Sequence, residues 1–226
     1  IIKWFFNTRE GLPGYVIIDM ADESTEFVRA EIKYSTEEYF NKKLSRYLRF
    51  KYPTYLLGDA RFEIKDDKTP YWICPILDNT IGLFGGTDVK GVIIVDAATG
   101  AVKEYTIAQM KSGKGPEGED LTWIDRVYDS DLLVQQYNFF GKYVHGFWNS
   151  ILNQKDVVTT TQGYNYIAKD DDVWMYTGVT SVTTDSSITG FVLINQRTKD
   201  AQYYPVTGGT ESAAQEAAQG RVKEYG

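Results

Sequence analysis

The sequence predicts an α+β fold built of tandem modules, each an antiparallel sheet with a helix packed on one face. Three observations predict it. A strand–turn–strand phrase is written three times, opening as Gly14-Tyr-Val-Ile-Ile-Asp19, Gly91-Val-Ile-Ile-Val-Asp96 and Gly190-Phe-Val-Leu-Ile-Asn195. The order helix, hairpin, loop, hairpin surrounds the second and third copies, and such self-similarity sets an architecture before any local reading does. The 17 Tyr, 11 Phe and 5 Trp among 226 residues suit dense β-rich packing.

Taken in order, residues 1–34 read as the closing hairpin of a preceding module, and 35–110 as a first complete module. Ser35 and Glu38 have capping-box spacing, so a helix is expected from there, with Phe40, Leu44, Tyr47 and Leu48 on one face and a stop at Pro53. Two strands follow, Ala60 to Lys65 and Tyr71 to Leu77, joined by an acidic turn. A Gly-rich loop from Gly82 to Gly86 delivers the second copy of the phrase. Lys111 to Asp120, rich in Gly, Lys and Glu, reads as an exposed linker. A second module is expected over 121–207. Its helical region, about 129–152, repeats Leu133, Tyr137, Phe140, Val144 and Trp148 on one face, with Gly141 and Gly146 as weak points. Acidic turn residues again precede a Trp strand, with Trp174 echoing Trp72. An Ala-rich helical pattern over 208–226 reads as the start of a further module. Both ends look cut from something longer.

The run Val95-Asp-Ala97 with Thr99-Gly-Ala-Val102, placed after a helix and a hairpin, resembles the PepSY-type repeat, a small α+β domain of bacterial secreted and membrane-anchored proteins. Residues 35–105 carry the resemblance best; over 129–206, Asn195 stands for the Asp and Lys199 for the Gly. The resemblance implies an envelope location and a peptidase-modulating or interaction role. It supplies no catalytic residues.

Composition narrows the chemistry. A formal charge of −7 and a pI near 4.9 argue against general nucleic-acid binding. Cys74 is the sole cysteine, so no intrachain disulfide forms, and its apolar run makes it a buried small hydrophobe. His145, the sole histidine, has no second His or Cys to complete a metal set and reads as structural. Neither Gly-rich segment has phosphate-loop spacing, and no nucleophile elbow is present. Asp170, Asp171 and Asp172 read as a solvated turn, with a cation as the alternative. No cofactor is called for, and no stretch approaches the ~20 apolar residues that cross a bilayer.

The expected function is therefore that of a non-catalytic interaction domain in an extracytoplasmic envelope protein, membrane-anchored or secreted, whose partner is a protein or cell-wall polymer. A peptidase-inhibiting module and a carboxylate-pair hydrolase are the alternatives. The expected surface joins Lys42, Lys43, Arg46, Arg49 and Lys51, cations on a helix whose aromatics turn toward the sheet, with Leu83 and Phe84 of the Gly-rich loop.

Overall fold

The computed structural model describes residues 11–19, 22–81, 86–182 and 188–206. The chain divides into two compact units, Ile1–Val127 and Tyr128–Gly226. The expected α+β class is borne out: each unit holds a five-stranded antiparallel sheet with helices. Leu83, Phe84 and the helix expected over 208–226 lie outside the described residues.

In the first unit, α1 (Leu44–Lys51) precedes β3 (Leu56–Leu57), β4 (Arg61–Ile64), β5 (Pro70–Ile81), β6 (Gly86–Asp96) and β7 (Val102–Thr106). The sheet runs β3-β5-β6-β7, with β3 and β4 end to end along one edge of β5. In the second unit α3 (Ser130–Tyr143) and α4 (Gly146–Leu152) precede β8 (Val158–Thr160), β9 (Asn165–Lys169), β10 (Asp172–Ser181), β11 (Ile188–Asn195) and β12 (Ala201–Pro205). Its order, β8-β10-β11-β12 with β9 also on β10, is the same. The break in the edge is built alike as well: Gly58 N–H donates to Pro75 O in one unit and Thr161 N–H to Gly178 O in the other.

The repeated phrase owes its residues to one local geometry. Asp96 Oδ1 accepts from the N–H groups of Ala98 and Thr99, and Asn195 Oδ1 from those of Arg197 and Thr198, all at 2.8 Å. Asn offers the same acceptor as Asp, so the replacement keeps the turn. Gly100 and Lys199 both take positive φ, 74° and 67°. The lysine bears a steric cost there that glycine avoids, roughly 1–2 kcal/mol. The opening glycine is fixed by close approach: a Cβ on Gly14, Gly91 or Gly190 would run into the carbonyl oxygen of Val28, Tyr105 or Tyr204 on the paired strand. The first copy forms β1 (Leu12–Ile18) and β2 (Thr25–Ile32), a two-stranded ribbon. One face leans on the first unit through Tyr15, whose ring meets Phe62 at 5.5 Å and whose hydroxyl donates to Lys68 O. The other exposes Val16, Ile18 and Phe27.

Several expectations are corrected. No helix starts at Ser35: its Oγ accepts from Glu37 N–H in a turn, its backbone bridges Lys43, and Phe40 has a φ of 51° that stops a helix from running through it. The helix begins at Leu44, leaving Phe40 in an exposed 3-10 turn. Trp72 and Trp174 are not equivalent, because Trp72 pairs with Val95 while Trp174 pairs with Asn195, one residue out of step in the repeat. The two indoles therefore face opposite sides of their sheets.

Both faces of the first sheet are covered. On one, Leu44 and Leu48 of α1 pack with Cys74, Ile76, Ile93 and Val95, flanked by Tyr47, Tyr52 and Trp72. The other takes residues 107–127, which include the segment expected as an exposed linker and, from 121, residues expected to open the second module. A capping box at Thr106 and Gln109 starts α2 (Ile107–Ser112), which ends at Gly113 in the left-handed region. Beyond it, Trp123 packs on Tyr71 at 5.1 Å, and Leu121, Ile124 and Val127 are buried. Glu63 fastens this cover, its carboxylate accepting from the N–H groups of Asp125 and Arg126 at 3.1 Å each.

Burial pushes Glu63 up to about 8 from an ordinary 4.5, although the two peptide N–H groups favour its ionised form. Between those values the folded chain keeps a proton that the unfolded chain releases. Stability of the first unit therefore falls as pH rises from 4.5 to about 8 and changes little beyond. Denaturant midpoints of wild type and Glu63→Gln, read at about pH 5 and pH 8.5, check this. The wild-type midpoint should drop across the window, and the substitution should remove most of that drop.

Candidate interaction faces on the module helices

The candidate surface is built on α1. Leu44, Tyr47 and Leu48 lie at spacings of three and four, so one stripe turns to the sheet and the remaining positions turn away. Arg49 and Lys51 in the last turn suit the negative end of the helix dipole, and the chain leaves the helix just before Pro53. Lys43, Arg46, Arg49 and Lys51 are all exposed, while Lys42 is half-buried. Arg49 is oriented by a bond from Nη1 to Tyr55 O at 3.0 Å. The Arg46 guanidinium lies 5.6 Å from the Phe50 ring centre, and Lys51 Nζ lies 5.7 Å from that of Tyr47.

The aromatic side chains do not all turn inward as expected. Phe50 is 73% exposed and sits among the cations, with Tyr39 and Phe40 exposed nearby. Phe50 falls six residues after Leu44, off the buried stripe, and that spacing is visible in the sequence. The face is thus basic and aromatic together, suited to an anionic partner with some apolar or planar surface.

The helical region of the second unit occupies the equivalent place in the repeat. Leu133 is buried, and Gly141 lets α3 approach Val158 O. Asn138 ties the helix to β8, its Oδ1 accepting from Thr160 N–H at 2.8 Å. Gly146, at a φ of 84°, breaks the helix as expected. The single apolar face does not persist, however: Phe140, Val144 and Trp148 are exposed.

Charge is segregated along the chain in step with these helices. Residues 39–58 contain no Asp or Glu and five Lys or Arg, and residues 132–155 contain no Asp or Glu and two Lys. All 31 acidic residues lie elsewhere, along with 17 of the 24 basic ones. An acidic chain therefore presents two acid-free helical stretches.

The other sequence candidates are held in structural roles. Cys74 donates to Gly58 O at 3.4 Å, and burial, aided by the charge of Asp59, pushes its thiol up to about 12, so little nucleophilic thiolate forms. His145 is half-exposed, with Nε2 3.3 Å from Asp156. Asp170 and Asp171 form an exposed turn, but Asp172 is turned inward, in contrast to the solvated turn expected of all three. It receives Arg197 through Nε at 2.6 Å and Nη2 at 2.7 Å, and Asn195 Nδ2 at 3.0 Å. Burial raises the Asp172 pKa, and the bonds and charge of these partners outweigh that and hold it lowered. Among the described residues no group of three or more His, Cys, Asp or Glu side chains could hold a metal ion. Among the same residues no helix is long and apolar enough to cross a membrane.

Comparison with family models, curated proteins and solved structures finds no match.

Replacing both Arg46 and Arg49 by Glu is expected to lower the unfolding free energy by no more than about 1.5 kcal/mol, since both side chains are exposed and the loss is confined to the Arg49 bond to Tyr55 O and to charge at the helix end. A larger loss would show that the cations hold the fold together.

Proposed function

We propose that this chain is a non-catalytic interaction domain of a bacterial extracytoplasmic envelope protein, and that the exposed face of α1 receives an anionic protein or wall polymer. The observation that carries this reading is the charge segregation: five cations and no acid over residues 39–58, in a chain of net charge −7. Such a face concentrates attraction for an anionic surface while the rest of the molecule repels it, which favours one orientation of approach. The PepSY-like order of elements supports the envelope setting.

Protease accessibility of the full-length protein in intact cells, with lysed cells as the control, tests the setting. Digestion without lysis is the expected result. Protection until lysis would overturn the envelope reading and turn attention to partners inside the cell.

A further inference from the structure

The second unit carries a surface that binding through α1 does not use. Over α3 and α4 the rings of Phe139, Tyr143 and Phe147 follow one another at centroid separations of 6.5 Å, and Trp148 meets Phe147 edge-on at 5.9 Å. The side chains that finish this face are large and open to solvent: Trp148 is 73% exposed, Leu152 72% and Phe140 63%, with Val144 and Ile151 beside them. Contiguous apolar surface of this kind marks an interaction site.

Its composition indicates what it meets. Polar side chains within the stretch are engaged internally: Ser150 donates to Phe147 O, and Asn149 both donates to Lys155 O and accepts from Lys155 N–H. The outward charges are Lys142, whose Nζ lies 5.4 Å from the Tyr143 ring centre, and Lys155. Asp156, 65% exposed, stands at the rim with His145 Nε2 at 3.3 Å, a contact that is ionic only when the imidazole is protonated. Trp and Tyr ringed by Lys, next to Phe, Leu and Ile and without an acid from 132 to 155, is the make-up of a helix lying in a bilayer interface. The apolar stretch of residues 139–152 is too short to span, which takes about 20 residues, and its bend at Gly146 is compatible with lying flat.

We propose that the outward face of α3 and α4 inserts in the plane of an anionic lipid surface, with the aromatic and aliphatic side chains below the headgroups and Lys142 and Lys155 among the phosphates. Burial of Phe147 and Trp148 supplies the affinity, and the lysines supply the preference for anionic lipid.

The test uses the full chain with vesicles of phosphatidylcholine alone or mixed with phosphatidylglycerol. Wild type should sediment with the mixed vesicles and bind the neutral ones at least several-fold more weakly. Its tryptophan emission should shift to the blue and be quenched by lipids brominated in the acyl chains. Trp148→Phe should keep binding and lose most of the blue shift, because Trp148 is the exposed indole of this face. Phe147→Ser with Trp148→Ser should cut partitioning by roughly tenfold or more, with the fold unchanged, since both positions are exposed. Arg46→Glu with Arg49→Glu, on α1, should leave acyl-chain quenching in place. The proposal is overturned if wild type binds neither vesicle, or if the double serine variant binds as wild type does. Lipid-free self-association that the same variant abolishes would also overturn it, assigning the face to a second copy of the chain.

Discussion

Replacing Asp172 by Ala is expected to destabilise the second unit by about 3–5 kcal/mol, because it strands the Arg197 guanidinium in a site where the two side chains are only 13% and 9% exposed. The pair is bidentate, and Asn195 completes the satisfaction of the carboxylate at 3.0 Å while its own Oδ1 shapes the turn at the end of β11. Loss of Asp172 therefore reaches the turn as well as the charge. The contribution is present above the ordinary carboxylate value of 3.8 and is lost as pH falls through the lower value held in the folded state. A denaturant titration at neutral pH should show the second unit's midpoint falling with Asp172→Ala. A change under about 1 kcal/mol would mean that the pair is solvated and the turn stands without it.

Leu48→Ala should have the next largest effect. Leu48 is 1% exposed and packs among Leu44, Cys74, Ile76, Ile93 and Val95, which leaves few neighbours free to collapse into the space. Removing its buried carbons costs about 3 kcal/mol, from lost transfer energy and the cavity left behind. The loss should appear in the first unit's transition. Since α1 is short and has no side-chain cap at its start, its helicity depends on this packing. A matching loss of helix signal before the sheet unfolds would therefore accompany it. Equal midpoints would show that α1 is not seated on the sheet.

The repeat was legible because it rests on turn chemistry that tolerates few residues: an Asx acceptor at Asp96 or Asn195, and a close-approach glycine at Gly91 or Gly190. The register of the strands was not. Trp72 and Trp174 both follow acidic turns, but the turn before β10 is the two-residue pair Asp170-Asp171 at positive φ, while Lys65 N–H closes a longer loop onto Thr69 O before β5. Turn length sets which residue faces which side, and similar composition conceals it. The Ser35–Glu38 spacing had an equally good rival in Thr106 and Gln109, and only the second caps a helix. Lys111 to Asp120 read as a linker and residues from 121 as the start of the second module, because Leu121, Trp123, Ile124 and Val127 follow no helical or strand period that ties them to the first unit, to which they belong. Leu121, Ile124 and Val127 are nevertheless buried, and the segment is tied down by a long-range partner, Glu63, that no local pattern reveals.

The cations of α1 were legible from their spacing opposite Leu44 and Leu48. So was the place of Phe50 off their stripe, but the exposed rings of Phe147 and Trp148 were not, because an aromatic in an amphipathic pattern is normally core. These aromatics and the acid-free stretches around them give the two helical faces their character, one predominantly basic and one predominantly apolar.

The most direct measurement is the binding of the full chain to envelope wall fragments freed of lipid by extraction, compared with the variant in which Arg46 and Arg49 are both Glu, at low and at physiological salt. Wild type should bind and added salt should weaken the binding, and reversal should lower affinity by roughly tenfold or more while the chain stays folded. Equal binding by the two proteins would contradict this and remove the α1 face as the contact surface.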